Sequence, residues 1–112
     1  MSIKLPLPDE KKLTVIFRVE PGCLGPDGRD HVEKFCQFAQ KEFNPVDSGF
    51  ISWTIVPMYD KSLAEIDYKI GNLGLTTDKI SRYLDMFGKN SDDFEEDISN
   101  KISDLIIEYL DS

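Results

Sequence analysis

Apolar and polar residues alternate from Leu13 to Val19. Leu13, Val15, Phe17 and Val19 fall on one face of a strand, with Thr14, Ile16 and Arg18 on the other. The period then changes. Over residues 29–43, Val32, Phe35, Cys36, Ala39 and Phe43 recur at helical spacing and make one apolar stripe. Asp27 or Asp30 suits the start of this helix, and Asn44-Pro45 suits its end. Two further runs alternate like strands. Ile51, Trp53 and Ile55 share a face in Phe50 to Val56, and Ala64, Ile66, Tyr68 and Ile70 share one in Leu63 to Ile70. Pro57 ends the second strand or marks it as an edge. Tyr59 to Ser62 reads as a turn, so these two strands are expected to form an antiparallel hairpin.

Helical spacing returns after Gly71-Asn72-Leu73-Gly74. Thr76 or Thr77 caps a short helix carrying Ile80, Tyr83, Leu84 and Phe87, with Gly88 as its left-handed C-terminal residue. Ser91 is expected to cap a last helix whose stripe is Phe94, Ile98, Ile102, Leu105, Ile106 and Tyr109. The acidic residues of its first turns suit the positive end of the helix dipole. Pro6 and Pro8 make residues 1–12 an irregular arm, leaving 13–112 as a single domain.

The element order is β-α-β-β-α-α, an α+β fold. Alternation in every strand implies one packed sheet face and one polar face, with the helices on the packed face in two layers. Two strand orders remain, with the first strand paired to the second or to the third; Pro57 favours the second strand at an edge, which gives a three-stranded sheet of order 2-3-1. That element order resembles a truncated ferredoxin-like plait and carries no functional implication. It leaves one edge of Leu13–Val19 unpaired, and exposed edges of this kind invite pairing.

Composition narrows the classes. The chain of 112 residues is the size of one domain and can bury a core. No apolar run is long enough for a bilayer span or a signal peptide, so a soluble, cytoplasmic protein is expected, with Cys23 and Cys36 reduced. The net charge is -8, carried by residues 45–112, whereas residues 1–44 are neutral. Clustered cations that would displace counterions from a phosphate backbone are lacking, so direct nucleic-acid binding is not expected.

Candidate chemistry centres on Pro21–Gly28, a glycine-rich loop that leaves a strand and enters a helix. Gly22, Cys23, Gly25, Gly28, Arg29 and His31 form its candidate ligand set. Backbone N–H groups at a helix start can receive an anion, and a thiol beside cations can become reactive. A tight connection that needs glycine for its backbone is the plainer reading. The glycine spacing fits neither phosphate-binding fingerprint. Cys23, His31 and Cys36 match no zinc spacing, and Cys36 belongs to the apolar stripe. The acidic run from Asp92 to Asp97 lacks the ligand positions and glycine of a calcium loop. No catalytic residue, metal or cofactor is assigned.

A second candidate is a surface. Ile16, Phe50, Val56 and Met58, beside Arg18, are expected on the outer sheet face, where apolar groups suit a contact or a packed helix. The first expectation is therefore a non-enzymatic protein-interaction domain that forms a homodimer through this face or the first strand's edge. A small enzyme or an anion- or ligand-binding protein using the Cys23 loop is the alternative. An acidic antagonist or mimic acting on a basic partner is a further one.

Overall fold

The computed structural model describes residues 4–111. The fold is α+β, with three helices and a four-stranded mixed sheet. Its contacts group into two units, Met1–Gly74 and Leu75–Ser112.

The first unit contains β1 (Leu13–Val19), α1 (Gly28–Phe43), β2 (Ile51–Pro57), β3 (Ile66–Ile70) and β4 (Leu73–Gly74). The sheet order is β2-β1-β3-β4. β1 runs parallel to β2, from Leu13 opposite Ile51 to Val19 opposite Pro57. It runs antiparallel to β3, with Val15 opposite Tyr68 and Ile16 opposite Asp67.

This corrects the expected order 2-3-1. The second and third strands do not form a hairpin; both flank β1, so β1 has no open edge. The reason lies in the connection. Residues 60–63 close a tight turn, with Asp60 Oδ1 accepting from the Ser62 backbone N–H at 2.9 Å and its hydroxyl at 2.6 Å. β3 starts only at Ile66, leaving residues 58–65 to cross the carboxyl end of β1. Eight residues readily span the two strand spacings involved, roughly 10 Å. Pro57 does lie on an edge strand, where its missing N–H costs no ladder bond. A two-residue turn at Gly71-Asn72, with Gly71 at φ 60°, adds the short fourth strand.

The packed face of β1 is Leu13, Val15, Phe17 and Val19, all buried, together with Ile51, Trp53, Ile55 and Tyr68. The α1 stripe, Val32, Phe35, Cys36, Ala39 and Phe43, is buried throughout, and the Phe43 and Trp53 rings lie 4.9 Å apart. Asp27 occupies the N-cap position of α1, but its carboxylate makes no capping hydrogen bond. In the arm, Asp9–Lys11 form one 3-10 turn, and the Leu7 N–H donates to Gly49 O at 2.8 Å. The expected arm's first three residues lie outside the described ones.

The second unit is a helical pair, α2 (Thr77–Met86) and α3 (Ser91–Asp111). Thr76 caps α2 by accepting from the Lys79 N–H at 3.4 Å. Gly88 takes φ 73°, and the Lys89 N–H reaches back to Leu84 O at 2.9 Å, a Schellman end. Ile80, Leu84, Phe94, Ile98, Ile102 and Leu105 are buried. Ser91 is inside α3. The cap is Asn90, whose side-chain oxygen accepts from the N–H groups of Asp92 at 2.9 Å and Asp93 at 3.2 Å. No helix among the described residues is long and apolar enough to cross a membrane.

Candidate functional site

Three surfaces of the first unit bring chemistry-bearing residues together. The first is the loop between β1 and α1. Pro21–Leu24 form a 3-10 turn, with proline at its first position and Leu24 buried. Gly25 takes φ 93°, which a side chain would strain. The Gly28 N–H donates to Gly25 O at 3.0 Å, and a Cβ at Gly28 would stand 1.7 Å from Pro21 O. Gly25 and Gly28 therefore answer to backbone geometry: one makes the turn and the other lets α1 begin against it.

Cys23 is exposed on this turn. Its thiol is pushed above the ordinary value, first by partial loss of water and then by the Glu20 and Glu65 carboxylates. The electropositive setting expected of Arg29 and His31 does not prevail: the charges that act on the sulfur are the Glu20 and Glu65 carboxylates. Cys36 is buried, and burial, with Glu33, pushes its thiol up to about 12.

Outside the carboxyl ends of the parallel strands β1 and β2 lies a hollow of 430 Å³. Gly22 and Arg29 line it with Glu20 and Pro21 from the loop, and with Met58, Tyr59 and Lys61 from the segment after β2. Two of the six loop candidates thus meet Met58, expected on the outer sheet face. Cys23, Gly25, Gly28 and His31 do not line the hollow. Lys61 is partly neutralised by Glu20, whose carboxylate is 3.4 Å away. No group of three or more histidine, cysteine or acidic side chains that could hold a metal ion occurs among the described residues.

The second surface is the outer sheet face. Register places Ser52, Thr14 and Lys69 in one row and Thr54, Ile16 and Asp67 in the next, with Val56 beside Arg18 beyond them. All but Ser52 are half-buried; Ser52 is exposed. The Arg18 guanidinium donates to Asp67 and to Ala64 O. Phe50 does not join this face: it is 7% exposed and lies in the turn before β2.

The third surface was not legible in the chain. A groove of 580 Å³ runs between one flank of α1 and β2. Its lining includes Glu33, Cys36, Gln40, Lys41, Ile55 and Tyr59. The Gln40 carboxamide is spread along β2, its nitrogen donating to Trp53 O at 2.8 Å and its oxygen accepting from the Ile55 N–H at 2.8 Å. The same nitrogen donates to Asn44 Oδ1 at 2.7 Å. Gln40 sits one place after the buried Ala39 in helical sequence, and a polar residue there reads as solvent-facing. Only the placement of β2 at the sheet edge gives it a strand to bind. Comparison with protein-family models, with curated proteins and with solved structures found no match.

Proposed function

We propose that this chain is a protein-interaction domain that associates with a second copy through the outer face of its sheet. The observation that carries this reading is the composition of that face at the centre of the sheet. Ile16 lies between Thr54 and Asp67, and Val56 adjoins Arg18, so an apolar centre is ringed by hydroxyls and charges. Stable interfaces have this anatomy. In a chain of net charge -8, the face sets Arg18 and Lys69 against Asp67. Two copies meeting here avoid the repulsion that other acidic surfaces would bring, and a two-fold contact is the commonest closed arrangement. Light scattering over a concentration series tests the reading. The wild-type chain is expected to be dimeric. Ile16→Lys should weaken the dimer roughly tenfold or more while leaving the monomer folded, since Ile16 is outside the packed face. A wild-type monomer at high concentration would refute the proposal.

A second reading is favoured by the hollow at the carboxyl ends of β1 and β2, where open α/β sheets commonly receive ligands. Gly22 and Arg29 would there hold a small anionic ligand. Titration with inorganic phosphate, followed by backbone amide shifts at Gly22 and Arg29, distinguishes it. Unmoved shifts, or shifts that persist in Arg29→Ala, would exclude it.

A further inference from the structure

β2 is the long edge strand of the sheet, and its outer side is held by a side chain. A primary carboxamide offers the same donor and acceptor as a peptide unit. Gln40 directs that pair at Trp53 O and the Ile55 N–H, both at 2.8 Å, which are the groups a neighbouring strand would engage. The edge is closed on either side of this point. The Ile51 N–H is taken by Asp47 O at 2.9 Å, and Pro57 has no N–H to offer. The pairing positions around Thr54 are therefore bounded, and their occupant is a peptide-like group.

We propose that Gln40 is a displaceable stand-in, and that the groove beside it binds a short extended peptide as an added strand on β2. Displacement exchanges the two side-chain hydrogen bonds on the strand for two backbone ones and passes the exposed Asn44 bond to water, a trade of small net cost, and the remainder of the peptide fills the groove. Charge defines the peptide further. Lys41 and Glu33 both line the groove, eight residues apart on α1. That is about 12 Å along the helix, or roughly four residues of extended chain. Tyr59 donates to Glu33 at 3.1 Å and marks the acidic end. The fitting ligand carries a basic residue for Glu33 and an acidic residue for Lys41, four positions apart, with alternating small apolar residues between them. Both ends of the edge being closed limits the added strand to a few residues.

The probe is a blocked peptide with valine and threonine alternating between a lysine and a glutamate four positions apart, together with its reversed sequence. Calorimetry and the side-chain amide signals of Gln40 report binding. One of the two peptides is expected to bind the wild-type chain weakly, shifting the Gln40 NH₂ and Ile55 N–H signals. The same peptide N-methylated at its central residue should not bind. Gln40→Ala, its fold checked by circular dichroism, should bind the peptide roughly tenfold tighter, because no plug has to leave. Absence of binding by both peptides to the wild-type and variant chains would overturn the proposal, as would binding that survives N-methylation. Self-association of Ile16→Lys/Gln40→Ala without peptide, absent from Ile16→Lys alone, would put a second copy on the strand edge in place of the peptide and equally overturn it. Ile16→Lys is expected to bind the peptide like the wild type, which separates this surface from the outer sheet face.

Discussion

The two cysteines differ by placement, and their chemistry follows from it. Cys23 is exposed and Cys36 is buried, with its thiol pushed up to about 12. Against the ordinary value of 9.0, a shift of that size leaves about a thousandth of the thiolate. Iodoacetamide at mildly alkaline pH is therefore expected to label Cys23 in the folded protein and Cys36 only on unfolding. Mass spectrometry of timed aliquots reads this out, and equal rates would contradict it. Cys23 should itself react more slowly than a free thiol, since burial and Glu20 and Glu65 disfavour its thiolate. Cys36 also links stability to pH. Its folded form keeps the proton that the unfolded chain loses near 9.0, so its contribution is full below that pH and falls as pH rises toward about 12. Urea midpoints above pH 9.0 should fall more steeply for the wild type than for Cys36→Ala.

At the scale of elements, helix starts and turns depend on single positions. Asn90, not Ser91, supplies the cap of α3. Asn90→Ala is expected to lower stability by about 1 kcal/mol, and Ser91→Ala by much less, in chemical denaturation. The two serve as each other's control. The connection from β1 into α1 makes a sharper demand. A methyl group at Gly28 would meet Pro21 O at 1.7 Å, whereas at Gly22 nothing lies within 4 Å. Gly28→Ala should destabilise by roughly 1–3 kcal/mol through forced displacement of the turn, with Gly22→Ala near neutral. Equal effects would mean the close approach at Gly28 is relieved without strain.

For the whole molecule, charge sets the expectation. The net charge of -8 resides in residues 45–112, and Lys12, Arg18 and Lys61 stand beside carboxylates that offset their charge. No salt-sensitive shift of duplex or single-stranded DNA is expected at micromolar protein. A shift that weakens steeply with added salt would overturn this. The Gly22–Arg29 hollow would then be the first place to seek the phosphate contact.

The periodicities of 2 and 3.6 residues are local properties. The sequence alone therefore determined the buried faces of β1, α1 and β2 and the left-handed end at Gly88. It determined the edge character of Pro57 as well, because a missing N–H is tolerated in few places. Strand order was beyond it. Whether residues 58–65 turn back beside β2 or step across β1 depends on a turn at Asp60 and on which neighbour satisfies β1, and alternation looks the same either way. The site candidates divided for the same reason. Gly25 and Gly28 were visible as glycines, but only the φ of 93° at the first and the approach of Pro21 O at the second fixed what they do. Gly22 and Arg29, already close in the chain, gained the distant Met58 as a neighbour because parallel strands bring their carboxyl ends together. Gln40 carried no signal at all. A polar residue on a helix flank is ordinary until tertiary structure places an open strand edge beside it, and then unsatisfied backbone groups give its carboxamide a partner.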